Sequence, residues 1–250
     1  MKIKILTYNI HKGFDWNKKN YFLQDIKKLV KDSHANIVLL QEVVGQNVDY
    51  KKRGLIESQY EYIADSIWSN YSYAKNSIYK YGHHGNMVLS EFPIESWENI
   101  NISTNIFEQR GLLYCKIALS DKLFIYVICV HLNLSNIGRQ KQYIKIKDYL
   151  KKLEISKESP IVIAGDFNDW NLKATQIFEN DLNMVEAYKN IKGDCAKTFP
   201  AGFPVLKLDR IYVKNINIIS ASVLDKVDKY HFSDHLPLIC EVETNEISLL

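Results

Sequence analysis

The stretch Ile161-Val162-Ile163-Ala164-Gly165-Asp166-Phe167-Asn168-Asp169 decides the fold, because four apolar residues run directly into a polar, acidic turn. A short, continuous apolar run is typical of a strand that is covered on both faces. Loops supported by such rigid strands often carry binding and catalytic groups. The stretch therefore predicts a core strand that ends at two candidate functional residues, Asp166 and Asn168.

Other apolar runs end at polar residues in the same way. Glu42 follows the run that ends at residue 40, His131 the run that ends at residue 130, and Asn9 the first predicted strand. In packed sheets, strand ends of this kind lie at one edge, where loops carry functional groups on a rigid support. We therefore expect these side chains to lie close to Asp166.

Strand-like runs dominate the chain, and amphipathic helices interrupt them. The pattern predicts strands at residues 2–8, 37–40, 87–89, 112–119, 123–132, 161–164, 211–213 and 236–242, with a tight hairpin turn at Ser120-Asp121. It predicts helices at residues 20–33, 57–68 and 138–153. No linker or repeat divides the chain, so we expect a single domain over residues 1–250. The predicted class is α/β (α+β): a four-layer sandwich of two mostly antiparallel β-sheets packed face to face, with helices outside.

The composition is that of a globular protein, with 46% hydrophobic and 24% charged residues. The formal net charge of +3 favours no polyanionic partner by itself, and no obligate protein partner is predicted. Four cysteines without a CxxC pair favour buried thiols over disulfides, which fits a cytoplasmic protein. No apolar window is long enough to predict a signal peptide or a transmembrane segment.

Glu42 and Asp166 each follow an apolar run of four residues and would lose hydration next to the core. An unpaired buried carboxylate costs several kcal/mol, so each residue needs a partner. A shared divalent cation would satisfy both carboxylates. Oxygen ligands without cysteine favour a hard ion, Mg²⁺ before zinc, and Mn²⁺ could substitute for it.

Two later segments add polar groups before predicted strands. Asp209 precedes the strand at residues 211–213, while Asp234 and His235 precede the last strand. An aspartate that orients a histidine holds one tautomer and raises the basicity of the imidazole. Taken alone, an aspartate before a strand is more often a cap or turn residue, and a histidine at a strand end is more often structural.

The order and combination of these segments resemble the endonuclease/exonuclease/phosphatase superfamily, which has the fold of pancreatic deoxyribonuclease. The matching segments are Thr7-Tyr8-Asn9-Ile10, Leu40-Gln41-Glu42-Val43, Gly85-Asn86-Met87-Val88-Leu89-Ser90, Val130-His131-Leu132, Gly165-Asp166-Phe167-Asn168, Leu208-Asp209-Arg210-Ile211 and Ser233-Asp234-His235-Leu236-Pro237. The chain also resembles a compact bacterial subgroup of that superfamily, in which Thr198-Phe199-Pro200 would form part of the cleft wall.

The resemblance implies a metal site and a phosphate site. Glu42 corresponds to the principal metal ligand, with Asn9 beside it and Asp234 nearby as a second carboxylate. Arg110 and His11 are weaker candidates for phosphate contacts. A surface salt bridge is an equally good interpretation of Arg110.

His83 and His84 lie in a polar segment near a motif and could line the same cleft as His11. For all three histidines, exposure to solvent in loops is the favoured interpretation.

The resemblance also implies catalytic roles. Asp166 would orient and activate the attacking water, and Asn168 would hold that water or a phosphate oxygen. His235 would contact the phosphate and pair with Asp209. His131 resembles the histidine that several members use near the leaving oxygen.

Three functions are compatible with this set. The first is a divalent-metal-dependent, nuclease-like phosphodiesterase that acts by in-line attack of water. The second is a phosphodiesterase acting on phospholipid head groups, or a phosphatase acting on soluble phosphate esters. The third is a binding module that has lost turnover, which the complete set of polar residues argues against.

Overall fold

The computed structural model describes residues 1–56, 58–153, 155–224 and 231–244. Its strands are β1 (Lys2–Asn9), β2 (Ile37–Asn47), β3 (Asn70–Tyr79), β4 (Gly82–Ser90), β5 (Ile94–Asn101), β6 (Gly111–Ala118), β7 (Phe124–His131), β8 (Ile161–Asp166), β9 (Val185–Glu186), β10 (Asp209–Lys214), β11 (Asn217–Val223) and β12 (Leu238–Glu243). Its helices are α1 (Leu23–Asp32), α2 (Val48–Lys52), α3 (Gln59–Ala64), α4 (Asn136–Lys152), α5 (Lys173–Leu182) and α6 (Ala187–Lys192), with a 3-10 turn at His11–Gly13.

These strands form two six-stranded sheets. The first sheet has the order β11-β12-β1-β2-β4-β3, and the second has the order β5-β6-β7-β8-β10-β9. Each sheet contains one parallel pair, β1 with β2 and β7 with β8, and its other pairs are antiparallel. The prediction of two mostly antiparallel sheets is confirmed.

Apolar side chains fill the space between the sheets, and helices cover the outer faces. Leu39 of the first sheet and Cys129 and Ile211 of the second belong to the central buried cluster. Leu23 of α1 packs in a cluster on the outside of the first sheet, and Tyr143 of α4 does so on the outside of the second. Each fully buried side chain of this size contributes roughly 1.5–3 kcal/mol. The four-layer arrangement is therefore confirmed, whereas a single domain over residues 1–250 stays a prediction.

Several elements differ in length from the sequence-based prediction. The predicted helix at 57–68 is short, because Asp65 has extended backbone angles and ends α3; residue 57 lies outside the described residues. α4 begins at Asn136, two residues before the predicted start, because the Ser135 hydroxyl accepts a hydrogen bond from Gly138 N. The hairpin at Ser120-Asp121 is confirmed between β6 and β7.

All four cysteines are buried and free, as predicted. Among the described residues, no helix is both long and apolar enough to cross a membrane.

Strand register brings the polar strand ends to one edge of the sandwich. Asn9 lies opposite Gln41 in the parallel pair of the first sheet, and His131 lies opposite Asp166 in the parallel pair of the second. Asp209 begins β10 opposite Asp166, because this pair is antiparallel. We call this edge, which holds the carboxyl ends of β1 and β8, the site edge.

Candidate active site

Asp166 lies at the centre of the site edge and is almost completely buried. Its Oδ2 accepts a hydrogen bond from Asn9 Nδ2 at 3.0 Å and lies 3.5 Å from His131 Nε2 and 3.6 Å from His235 Nε2. Its Oδ1 accepts a hydrogen bond from Asn168 N at 2.9 Å. The structure thus brings four other predicted residues together around the Asp166 carboxylate.

Burial gives this carboxyl group an unusual proton affinity. Desolvation raises the pKa of Asp166 to about 6, with His235 opposing the increase and Asp209 adding to it. A general base is most effective when its pKa lies near the working pH. Asp166 is therefore suited to exchange a proton near neutral pH.

A second carboxylate holds His235 in place. Asp209 Oδ2 lies 2.8 Å from His235 Nδ1 and accepts a hydrogen bond from Thr198 Oγ1 at 2.5 Å. Burial alone would lower the pKa of His235, but the Asp209 and Asp166 carboxylates outweigh it and raise this pKa to about 10. His235 is therefore an imidazolium near neutral pH, aligned by Asp209 and facing Asp166.

Glu42 reaches the site because β2 is irregular where it passes the edge. The apolar run ends at Leu40, but the strand continues to Asn47, and its register with β4 shifts between Leu40 and Val43. A bulge of this kind redirects a side chain. Glu42 itself has a left-handed backbone conformation, with φ of 58°. Such strain in a non-glycine residue is common at functional sites.

The Glu42 carboxylate has cationic and imidazole neighbours. Lys12 Nζ donates a hydrogen bond to Glu42 Oε2 at 2.5 Å. Burial alone would raise the pKa of Glu42, but Lys12, His131 and His84 hold it well below its ordinary value. Glu42 is consequently a carboxylate under all ordinary conditions, and the neighbouring His131 connects it to the Asp166 cluster.

Two residues with unusual backbone angles, Gly165 and Asn168, shape the turn at the end of β8. Gly165 has φ of 146°, and a Cβ built on it would lie 1.9 Å from Val130 O, which excludes any side chain. Asn168 has φ of 49°, and its Nδ2 donates a hydrogen bond to Leu132 O at 2.9 Å. The side-chain amide of Asn168 is thus used to fix the turn that presents Asp166.

Asp234 and His11 lie beside one another at the margin of the cluster. His11 Nδ1 is 3.7 Å from Asp234 Oδ1 and 3.1 Å from Asp15 O, and His11 N donates a hydrogen bond to Asn9 Oδ1 at 3.1 Å. Asp234 also accepts a hydrogen bond from Ser233 Oγ at 3.3 Å. These contacts place Asp234 with His11, on the Asn9 side of the cluster.

Arg110 fits both interpretations of the sequence. Its Nη2 lies 3.0 Å from Glu108 Oε1, so the salt bridge is present. Burial is the main reason that the pKa of His131 lies well below its ordinary value, and the Arg110 guanidinium lowers it further. Because the Arg110 guanidinium changes the pKa of His131, it lies close enough to interact with a phosphate bound in the site.

The expectation that His11, His83 and His84 are exposed in loops is wrong. His11 and His83 are buried and His84 is half-buried. The two neighbouring histidines belong to β4, which extends past the site edge, and His83 Nδ1 lies 3.0 Å from the Tyr73 hydroxyl. Pairing between β4 and the extended β2 explains their burial.

Lys12 and Thr198 form hydrogen bonds in the site that the sequence did not predict. Lys12 follows Asn9-Ile10-His11 directly, and this position next to a motif is the signal that could have identified it. Thr198 was expected only in the cleft wall, whereas its hydroxyl bonds to Asp209.

The donor atoms fit a hard divalent cation. Asp166, Asp209 and His235 have ligand atoms within 4.8 Å of one another, but His235 is engaged by carboxylates on both ring nitrogens. Glu42 is a better primary ligand, because its carboxylate is held in the charged form and Lys12 occupies only its Oε2. Asp209 Oδ1 is buried without a hydrogen-bond partner among the described residues. This unmet oxygen and the absence of thiol donors match the preference of Mg²⁺ and Mn²⁺ for oxygen ligands and water.

Such a two-sheet fold, with acids and histidines at one edge, defines a class of phosphoester hydrolases. The family described as "Endonuclease/Exonuclease/phosphatase family" matches residues 6–235, and the chain belongs to this family. The predicted family and fold class are therefore confirmed.

Similar proteins include one close in sequence and others close in structure. The chain is 40% identical to the uncharacterized protein YbhP of Escherichia coli strain K12 over 244 residues, covering 96% of this chain and 95% of YbhP. A crystal structure of an endonuclease/exonuclease/phosphatase from Beutenbergia cavernae has a TM-score of 0.81 at 16% identity, covering 100% of this chain and 73% of that one. The mannosyl-6-phosphatase Bt3783 of Bacteroides thetaiotaomicron has a TM-score of 0.73 at 16% identity, covering 96% and 99%. At 16% identity, the similarity to these two structures shows that the fold is shared and nothing further.

Proposed function

We propose that this hydrolase is a divalent-metal-dependent phosphodiesterase that cleaves its substrate by in-line attack of water. The observation that carries the proposal is the buried Asp166 carboxylate, which is contacted by Asn9 and faces the ring nitrogens of His131 and His235. Phosphoryl transfer needs little covalent help from a protein and depends on positioning and charge stabilisation. A carboxylate base, Asp166, held between the rings of His131 and His235, supports such a reaction.

Asp166 is the proposed acceptor of the proton from the attacking water. Its raised pKa matches that task near neutral pH, and its orientation is fixed by Asn9 and by the backbone of Asn168. Asn168 would contribute through the turn it holds, and its side chain would reach the water or a phosphate oxygen only by giving up Leu132 O.

His235 and His131 are proposed to act in different charge states. His235 is cationic and would stabilise the negative charge that grows on the phosphoryl oxygens, with Asp209 holding its orientation. His131 has a lowered pKa and would donate a hydrogen bond as neutral imidazole near the leaving oxygen. The Arg110 guanidinium is a further candidate for a phosphate contact.

Glu42, Asn9 and Asp234 are the proposed ligands of Mg²⁺, for which Mn²⁺ could substitute. When bound, the metal would neutralise charge on the phosphoryl group. Lys12 would have to leave Glu42 Oε2 or share the carboxylate.

A phosphodiester is the preferred substrate class, as in the nuclease-like prediction. A phospholipid head group is the second candidate, because large apolar side chains are exposed around the site edge. A cytoplasmic location also stays a prediction.

Hydrolysis of a soluble diester tests the proposal. The purified chain with Mg²⁺ should hydrolyse bis(p-nitrophenyl) phosphate faster than p-nitrophenyl phosphate, and excess EDTA should abolish the activity until Mg²⁺ or Mn²⁺ is restored. Glu42→Gln should raise the metal concentration needed for half-maximal rate, whereas a matched exposed change, Glu158→Gln, should not. A wild-type enzyme that is insensitive to EDTA would contradict the metal role.

A further inference from the structure

The loops at the site edge expose an unusual set of large apolar side chains. Phe107 is 93% exposed and Ile106 is 81% exposed, although both lie within a few residues of Arg110. We define the apolar rim as the exposed residues Trp16, Ile106, Phe107, Leu134, Ile137 and Phe203. Single exposed apolar residues are common on protein surfaces, but large apolar side chains exposed in several loops at one edge are typical of a binding surface.

Chain direction puts these residues at one edge of the sandwich. The loop of Trp16 follows β1, and that of Leu134 follows β7, at the ends that carry Asn9 and His131. The loop of Phe107 leads into β6, whose first residues pair with the last residues of β7. The loop of Phe203 leads into β10, which begins opposite Asp166. The apolar rim therefore lies at the same edge of the sandwich as the candidate active site.

Hydrogen bonds hold part of this rim in its exposed conformation. Asn105 Oδ1 accepts hydrogen bonds from Phe107 N at 2.9 Å and from Glu108 N at 2.8 Å. Glu108 Oε1 then accepts a hydrogen bond from Leu134 N at 2.8 Å, which ties two rim loops together. The same oxygen bonds to Arg110. The rim is thus connected to the site, and its apolar tips are fixed outside the core.

Exposed lysines accompany the apolar side chains. Lys18 and Lys19 follow Trp16 in its loop. Lys52 lies on α2, which follows the part of β2 that runs past the site edge, and Lys80 lies on the neighbouring β3–β4 turn. Apolar tips among lysines are typical of surfaces that bind the interface of a bilayer containing anionic lipids.

The aliphatic members of the rim argue against single-stranded nucleic acid as the partner. Bases bind such proteins by stacking on aromatic rings along a basic groove. Ile106, Leu134 and Ile137 offer no ring for stacking, but they can enter the acyl region of a lipid layer.

We propose that the apolar rim docks this enzyme on an anionic phospholipid bilayer, and that its substrate is a phospholipid head-group phosphodiester. This inference rests on the proposed phosphodiesterase function.

The lipid inference is tested by measuring vesicle binding and the hydrolysis of two substrates, a vesicle phospholipid and bis(p-nitrophenyl) phosphate. The probe is a vesicle of equimolar phosphatidylcholine and phosphatidylglycerol, used with the full chain, Ile106→Ser/Phe107→Ser and the control Ile144→Ser, which changes an exposed isoleucine of α4. The rim variant should bind vesicles at least about tenfold more weakly, because each apolar side chain that enters the lipid contributes roughly 1.5–3 kcal/mol and ~1.4 kcal/mol is a factor of ten. Its release of head group should fall in parallel, while hydrolysis of bis(p-nitrophenyl) phosphate should equal that of the wild type and the control.

The outcomes separate this inference from the proposed function. Activity on the soluble diester without vesicle binding or head-group release would overturn the lipid inference and leave the phosphodiesterase intact. Vesicle binding that the rim variant retains would overturn the docking surface. Weaker binding of single-stranded DNA by the rim variant, with vesicles unbound, would identify nucleic acid as the partner instead. Failure to hydrolyse any diester would instead refute the proposed function.

Discussion

The substitution Asp209→Asn would keep the shape of this side chain while removing its charge. The fully buried carboxylate lies 2.8 Å from His235 Nδ1. Burial disfavours the imidazolium, yet carboxylates raise the pKa of His235 from 6.5 to about 10. This increase corresponds to roughly 5 kcal/mol at ~1.4 kcal/mol per pKa unit. Because the Asp166 carboxylate also raises this pKa, we assign about half of the free energy, ~2–3 kcal/mol, to Asp209.

The pH dependence of stability follows from the sign of this shift. A folded-state pKa above the unfolded value stabilises the protein fully below pH 6.5, and the contribution is lost as the pH rises through about 10. In EDTA, Asp209→Asn should therefore lower the free energy of unfolding by about 2–3 kcal/mol below pH 6.5, and by progressively less as the pH rises. Urea unfolding at several pH values measures this difference.

The same substitution should reduce turnover. We expect kcat on a diester with Mg²⁺ to fall by about 100-fold or more, as is typical when proton-transfer or charge-stabilising groups are disturbed. Asp194→Asn is a matched control, because Asp194 forms an exposed salt bridge with Lys207. Wild-type turnover in Asp209→Asn, or a stability difference that does not depend on pH, would refute this reasoning.

Three further substitutions test other parts of the site. Asp166→Asn should lower kcat by about 100-fold or more while circular dichroism stays that of the wild type, and a near-normal rate would remove this residue from the mechanism. Gly165→Ala should cost about 3 kcal/mol or more in urea unfolding, because its Cβ would overlap a carbonyl oxygen. Gly202→Ala should change stability by less than about 1 kcal/mol, because its Cβ would meet only His231 Cδ2, at 3.9 Å. Lys12→Met should strengthen Mn²⁺ binding in calorimetry, because the ammonium that competes for Glu42 is gone; unchanged affinity would show that the two cations do not compete.

The core strands and the centre of the site were predictable from the sequence. Residues 161–164 and 123–130 are apolar throughout, so their ends at Asp166 and His131 could be located without coordinates. All four edge strands, β3, β5, β9 and β11, were missed, because they are short or carry many polar, exposed residues and lack a long apolar run. A propensity for strand depends on neighbours that a single sequence does not reveal.

Backbone irregularities explain what else was missed. Glu42 reaches the site through a register shift and a left-handed residue, and no local pattern near residue 42 signals either feature. Lys12 also has a left-handed conformation, with φ of 58°, within a 3-10 turn. Its partner on β2 could not be inferred from hydrophobic periodicity, which reports burial and not the direction of a long charged side chain.

The hydrogen bond from Asn9 to Asp166 joins the two sheets across 157 positions of the chain. Each sheet alone therefore holds only part of the reactive groups, and turnover depends on the position of one sheet relative to the other. A small shift between the sheets should consequently lower the rate of the reaction. During refolding, it should return only after both sheets have docked, later than the signal from secondary structure.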